Sequence, residues 1–154
     1  YDRFIISFER LGNMNILTYK YDSLSLKLIS NAQISSGNKT LAVKALWDTG
    51  ATKTCIAKHV AIELDLHPVG EDTVFTPSGC AKFNQYIITV LLPSNVVFND
   101  IEVSESEIAA EGIGLLIGMD IISTGDFAVS NFKRKTTFTF RIPSIEEIDF
   151  IEKK

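Results

Sequence analysis

One run of the chain limits the possible folds more than any other: a strand that ends on an acid. From Thr40 to Trp47 the residues Leu41, Val43, Ala45 and Trp47 face one way, and the run stops directly on Asp48-Thr49-Gly50. Apolar residues at a period of two are the pattern of a half-buried strand. Ending such a strand in a carboxylate puts a charge at the mouth of a core, where burial and neighbours can perturb its ionisation. Gly50 allows a tight loop that brings backbone close to whatever the carboxylate faces, and Thr49 offers a small hydroxyl for bonding backbone. The tripeptide is short enough to arise by chance, so its meaning depends on what surrounds it.

The surroundings are mostly β in pattern. Leu24, Leu26 and Leu28 alternate with Ser25 and Lys27, which predicts a strand there, followed by a turn at Ser35-Ser36-Gly37-Asn38. After the acidic loop, Thr54 to Ala57 reads as a short strand and Lys58 to Leu66 as a short helix carrying Val60, Ile62, Leu64 and Leu66, stopped by Pro68. Thr73 to Leu92 reads as a hairpin around Thr76-Pro77-Ser78-Gly79, and a second hairpin passes through Pro93-Ser94-Asn95 into Val96 to Val103. Asp100 to Glu111 carries five acids and no Lys or Arg, which predicts a solvated, loop-rich surface. Leu115-Leu116-Ile117-Gly118 reads as a buried strand, and Phe127 to Ser130 with Thr137 to Ile142 as a hairpin turned by Phe132 to Lys135. Ser144-Ile145-Glu146-Glu147 matches a capping box, so a C-terminal helix is expected, with Ile145, Ile148 and Ile151 as a narrow apolar stripe needing a surface to dock on. The expected organisation is an N-terminal extension or strand over residues 1–23, one domain over 24–143 and a helical tail over 144–154. The first 13 residues, ahead of the first methionine at Met14, are open to reading as an added extension or as an unusual N-terminal region.

Composition removes several functions. The chain has 154 residues, 45% hydrophobic and 22% charged, enough for one core that buries roughly two thirds of the unfolded surface. A net charge of -4 gives no footprint for a nucleic-acid backbone. The cluster Lys133, Arg134 and Lys135 sits between two strand-like runs, as a solvated turn would. Cys55 and Cys80 without a CxxC spacing, and His59 and His67 without a paired acid, suggest free thiols and no metal site. The apolar stretch Ile113 to Ile122 is too short to span a bilayer and contains Asp120. No signal-peptide pattern is present at Phe4 to Phe8, so a cytoplasmic location and no membrane partner are expected.

Leu46-Trp47-Asp48-Thr49-Gly50-Ala51-Thr52, followed about 65 residues later by Leu115-Leu116-Ile117-Gly118-Met119-Asp120, resembles the retropepsin-like aspartic peptidases, in particular their small cellular and bacterial members. The similarity spans roughly Ser23 to Pro143 and keeps the family's order: a strand into Asp-Thr-Gly-Ala, a flap hairpin, then an apolar strand ending in glycine and a short helix. It implies a mainly β half-barrel, with a short helix after the catalytic loop, that pairs as a two-fold homodimer. Each copy would give one Asp48 to a shared site that hydrolyses an extended peptide without metal or organic cofactor. It implies further that Thr49 locks the two loops together, that Gly50 accepts from substrate backbone, that Ala51 helps line the cleft, and that Thr52 belongs with these three to the support of the catalytic loop. Thr76, Pro77, Ser78, Gly79 and Cys80 would form the flap tip, while Ile117, Gly118 and Asp120 would support the loop from behind. The single Asp-Thr-Gly agrees with this, because two carboxylates sharing one proton need a second copy. Members of the family often build their interface from the chain ends, which points to the tail or the N-terminal region.

Three departures from the viral pattern stand out. The flap tip holds only Gly79, Thr52 and Lys53 replace acids, and Met119 stands where arginine is common, so no salt bridge is expected there. Trp47 reads as a core or dimer-contact aromatic, and Cys80 as an inert thiol beside the flap rather than an oxidation switch. The competing reading from another class is a catalytically silent module of the same fold, kept for dimerisation or peptide binding. A phosphorylated-aspartate enzyme is a remote third, because no phosphate-cradling loop or metal-binding acid pair accompanies Asp48.

Overall fold

The computed structural model describes residues 4–11, 14–76, 79–108 and 112–151, with side chains from residue 15 onward except for 74–79. Eleven strands, two short α-helices and two single 3-10 turns follow one another among the described residues. In chain order the strands are β1 (Phe4–Leu11), β2 (Met14–Tyr21), β3 (Leu28–Ser36), β4 (Lys39–Trp47), β5 (Cys55–Ala57), β6 (Gly70–Thr76), β7 (Gly79–Leu92), β8 (Val96–Ser106), β9 (Ile113–Ile117), β10 (Asp126–Ser130) and β11 (Thr137–Ile142). Helix α1 (Lys58–Glu63) follows β5, and helix α2 (Met119–Ile122) follows β9. The mainly β class expected from the sequence is what the chain adopts.

Seven strands pair in the order β3-β4-β9-β5-β8-β7-β6, and β3 also pairs with β7, so six of them close into a barrel with β6 outside. Closure removes edges that would otherwise invite association. The remaining strands form a second sheet in the order β1-β2-β11-β10. On β3, Ser30, Ala32 and Ile34 are buried while Asn31 and Gln33 are exposed, the alternation that commits one face to a core. The β3–β4 hairpin turns on Gly37-Asn38, and Gly37 has φ +55°, the left-handed region where the absence of a Cβ avoids a steric cost.

The two sheets meet over aromatic residues. Trp47 stacks on Phe127 with ring centroids 5.5 Å apart and lies against Phe138 and Phe140, while Tyr19 stacks on Phe138 at 5.1 Å. Phe138 and Phe140 are fully buried, and each such side chain contributes about 2–3 kcal/mol by leaving water. Polar bonds cross the same seam. Asn31 N–H donates to the Tyr19 hydroxyl at 3.1 Å, Ile29 N–H donates to the Tyr21 hydroxyl at 2.8 Å, and Ser94 Oγ donates to Ile16 C=O at 2.6 Å. Residues 14–21 are therefore built into the core.

Several expectations need correction. Residues 22–27 form bends rather than a strand, and Leu26 is fully exposed. The cause is a crossing between sheets: Thr136 N–H donates to Ser23 C=O and Ser25 N–H to Thr136 Oγ1, so the leucine alternation has no ladder to join. The acidic stretch is not all loop, because β8 runs to Ser106 with Val103 and Ser104 buried. Asp100, Glu102 and Glu105 lie on that strand, and Asp100 and Glu102 are exposed, so acidic content alone did not mark a loop. In α1, Val60 and Leu64 turn inward while Ile62 is 70% exposed.

No C-terminal helix forms among the described residues. Residues 143–151 hold bends and a turn, with no helix among them. Ser144 does not cap: its hydroxyl donates to Asp126 Oδ1, and Ile145 N–H donates to Asp126 Oδ2 at 3.1 Å. Arg141 Nη2 lies 3.1 Å from Glu146 Oε1, so the polar groups of the would-be first turn are drawn to the neighbouring sheet. Ile145, Ile148 and Ile151 remain 53%, 40% and 85% exposed, so the stripe finds no cover among the described residues.

Candidate active site

The topology alone forces an unusual crossing at Asp48. Strand β9 lies between β4 and β5, parallel to the first and antiparallel to the second, with Trp47 opposite Ile117 and Cys55 opposite Leu116. The connection from β4 to β5, residues 48–54, must therefore pass over the end of β9 just where Gly118 emerges. A Cβ on Gly118 would sit 2.6 Å from the Lys53 carbonyl carbon and 2.7 Å from its oxygen, so only glycine lets the two backbones cross this closely.

Backbone bonds hold the crossing together. Asp48 N–H donates to Ile117 C=O at 3.0 Å, Met119 N–H to Ala51 C=O at 2.8 Å, and Asp120 N–H to Thr52 C=O at 3.2 Å. Side chains add to them. Thr54, fully buried, donates its N–H to Asp120 Oδ2 at 2.9 Å and its hydroxyl to Asp120 Oδ1 at 2.7 Å, and its oxygen accepts Gly118 N–H at 3.1 Å. The structure thus brings Asp48 to Thr52 together with Ile117, Gly118 and Asp120. Thr54 was missed in the sequence reading. The signal for it was a hydroxyl residue at the start of a short strand, directly after a loop that had to be anchored.

Asp48 itself is half-buried. Gly50 N–H donates to its Oδ1 at 2.8 Å, and a Cβ on Gly50 would stand 3.2 Å from that oxygen. Thr49 and Gly50 are exposed, so the carboxylate sits on an open face of the loop. Below it, Trp47 Nε1 donates to Ser30 Oγ at 3.0 Å in the core, which identifies the indole as part of the floor. A carboxylate held this way, next to solvent but backed by a rigid floor, can take up or release a proton to a water or a substrate.

The β6–β7 hairpin rises beside the loop. Its register runs from Gly70 opposite Gln85 to Thr76 opposite Gly79. Pro77 and Ser78, expected at the tip, lie outside the described residues, and only the backbone of Thr76 and Gly79 is described. Cys80 follows on β7 as an exposed free thiol. At the base of the hairpin Ser104 Oγ donates to Asp72 Oδ2 at 2.9 Å, and Lys53 reaches Glu102 at 3.4 Å as a half-exposed pair. That pair adds little to stability.

Cys55 is not a nucleophile candidate. Burial first, then the negative charges of Asp120 and Asp72, push its thiol above the usual range, which keeps it protonated. His59 and His67 are exposed, and no group of three His, Cys, Asp or Glu side chains able to hold a metal occurs among the described residues. Among the same residues no helix is long and apolar enough to cross a membrane. A cavity of about 650 Å³ opens elsewhere on the barrel wall, lined in part by Leu41, Val43, His59, Glu63 and Leu92, and includes no residue of 48–54 or 117–120.

Comparison with known proteins follows the same lines. The model of a family described as gag-polyprotein putative aspartyl protease matches residues 32–124. No curated protein matches the chain. Among solved structures, a retropepsin-like aspartic protease from Rickettsia conorii aligns with a TM-score of 0.56 at 17% identity, over 90% of this chain and 98% of that one. The simian foamy virus (mac) protease aligns at 0.45 and 24% identity, over 62% of this chain and 92% of its own. The retroviral protease-like domain of Ddi1 from Leishmania major aligns at 0.43 and 18%, over 65% and 79%. At these identities the Rickettsia structure speaks to the fold alone, and the other two are too distant to add to it.

Proposed function

Since the chain belongs to the gag-polyprotein aspartyl protease family, we propose that it is an aspartic endopeptidase in which Asp48 from each of two copies forms the catalytic pair. The observation that carries this reading is the placement of Asp48: a half-buried carboxylate at a strand end, on a loop tied to the end of β9, with one oxygen receiving Gly50 N–H. One such group per chain is half of what peptide hydrolysis needs. Two carboxylates brought face to face cannot both ionise cheaply, so one stays protonated and the pair titrates as a unit. The ionised member takes a proton from water as that water attacks the peptide carbonyl. The protonated member donates to the carbonyl oxygen, and the proton gained from water then passes to the departing amine.

The exposure of Thr49 and Gly50 leaves room for the reciprocal loop contact between copies that the family resemblance implies. The β6–β7 hairpin is the part suited to cover an extended peptide and exclude water, with Thr76, Gly79 and Cys80 paired toward its end. Ala51 would help line the cleft, and Thr52 would support the loop, its C=O receiving Asp120 N–H. A cytoplasmic setting fits the two free thiols but is no part of the mechanism.

The test compares the parent with Asp48→Asn on an unstructured protein between mildly acidic and neutral pH. Cleavage by the parent should fall about 100- to 10,000-fold in the variant. Specific activity of the parent should also drop on dilution through the dimer dissociation range, since neither copy carries a complete site. A parent that cleaves nothing beyond what Asp48→Asn cleaves returns the chain to the silent, peptide-gripping alternative. Activity independent of protein concentration would remove the shared site.

A further inference from the structure

The cavity on the barrel wall lies away from Asp48 and is built from separate elements. Leu41 and Val43 come from β4, Ala32 from β3, Leu92 from the end of β7, and His59 and Glu63 from α1. Its volume of about 650 Å³ falls inside the range of roughly 300 to 1,000 Å³ that small-molecule sites occupy. Each wall is fixed by its own bonds. β3 and β4 pair along their whole length, and the turn at Pro93–Asn95 is held where Ser94 Oγ donates to Ile16 C=O at 2.6 Å. Beside it the β4–β9 ladder shifts register between Lys44 and Ala45, leaving Gly114 as an extra residue in β9, and such a bulge bends the strand that carries it. The hollow therefore comes with the folded barrel.

The polar groups around it are a second observation. Gln33, His59, Glu63 and Asn95 line the cavity, and none of their side chains hydrogen-bonds to another described residue. His59 and Glu63, four residues apart on α1, share one face of that helix. Lys44 lines the cavity as well, and its Nζ donates to Asn31 Oδ1 at 2.6 Å. Lys44 and Glu63 thus bring one charge of each sign. Gln33 and Asn95 add two side-chain amides, each able both to donate and to accept.

We infer that this cavity is a binding site for an uncharged small molecule with an apolar body and a hydrogen-bonding head, an amide or a hydroxyl. An anionic head would gain at Lys44 and lose at Glu63, and a cationic head would do the reverse. Either would also give up hydration on entering, which a neutral head does at far lower cost. Leu41, Val43 and Leu92 suit the body, and the side-chain amides suit the head. The inference does not depend on the reading of Asp48, because the cavity shares no residue with the loop crossing.

Three probes that share one ring body test it on the full chain: 2-naphthamide, 2-naphthoate and 2-naphthylmethylammonium. 2-Naphthamide should bind with a Kd of about 1 mM or tighter, which its roughly 13 non-hydrogen atoms supply at ordinary ligand efficiency. The two ions should bind about tenfold more weakly. Saturable amide NMR shifts should appear at Gln33, at residues 41–44 and at Leu91 and Leu92. Ala42→Trp, at an exposed position that lines the cavity, should fill it and weaken 2-naphthamide at least about tenfold. Glu63→Gln should strengthen 2-naphthoate about tenfold over the parent and leave 2-naphthamide within about threefold. Three results would overturn the inference: no saturable shift with 2-naphthamide, saturable shifts that leave residues 41–44 unmoved, or ions that bind the parent as tightly as the amide does. If Ala42→Trp does not fold, 2-naphthoate binding to Glu63→Gln decides in its place, and an affinity equal to the parent's counts against the site.

Discussion

The loop at residues 48–54 and the tail at residues 143–151 are alike in having neither helix nor regular strand, yet they are held in different ways. The loop crosses the end of β9 and is tied at several separate points, by backbone bonds from Asp48, Met119 and Asp120 and by the buried Thr54 side chain. The tail hangs largely from one carboxylate. Asp126 receives the Ser144 hydroxyl, Ile145 N–H and Arg141 Nε, while Ile145, Ile148, Phe150 and Ile151 stay at 40% exposure or more. Independent anchors on buried backbone fix a segment's position, whereas a single shared acceptor fixes only where it starts.

The comparison breaks most visibly at Gly118. In Gly118→Ala the new Cβ meets Lys53 backbone at 2.6 Å, and backbone on both sides of the crossing has no rotamer to relieve the contact. The expected cost is about 1–3 kcal/mol, since forced overpacking in a tight site runs to that size, and turnover should fall further than stability does. On the tail, Ile151→Ser changes a residue 85% exposed and should stay within about 0.5 kcal/mol. Urea midpoints of the two variants measure both. A Gly118→Ala protein as stable as Ile151→Ser would mean that the crossing is looser than its bonds imply.

An effect of similar size on stability, away from the crossing itself, sharpens what the loop stands on. Trp47 Nε1 donates to Ser30 Oγ inside the core, with Ser30 only 1% exposed. Ser30→Ala leaves the indole N–H without that acceptor, at a cost of about 1–3 kcal/mol for a buried donor left unpaired. Thermal unfolding should show it, together with a change in the fluorescence of the chain's single tryptophan. Unchanged stability would place a water or another acceptor on the indole.

The same contrast explains what could be read from the sequence. The barrel strands β4, β5 and β9 and the β6–β7 and β7–β8 hairpins were legible because the alternation of β4, the apolar run of β9 and the turn residues act locally, whereas the meeting of Asp48 to Thr52 with Ile117, Gly118 and Asp120 came from the family resemblance. The order β4-β9-β5 was not legible, because strand insertion depends on contacts about 65 residues apart, and with it went the role of Thr54. The failures at 24–28 and 144–147 share a cause. Leu24 to Leu28 and the capping box are sound local patterns, but Thr136 and Asp126 offer their backbone and hydroxyl groups partners from another sheet. Where a nonlocal acceptor reaches a segment, the local pattern loses.

The smallest effect expected is also the most specific to the tail. The Ser144 hydroxyl, then Ile145 N–H, then the Arg141 guanidinium hold the Asp126 carboxyl down at about 2, well below its ordinary 3.8. A folded pKa below the unfolded one means that the group stabilises its structure above the ordinary carboxylate range, and that this contribution is lost as pH falls through the folded value. Docking of the tail should therefore be insensitive to pH above about 4 and should weaken between about 4 and 2, the window set by those two values. The Ile145 amide resonance reports it directly, because its N–H donates to the titrating oxygen. Asp126→Asn should abolish that titration and leave Ile145 exchanging as an untethered amide at neutral pH, while Thr54 and Gly118 keep their protection. If the Thr54 amide moved in step with Ile145 over the same window, the loop and the tail would be one coupled unit, and the separation between several anchors and one would fail.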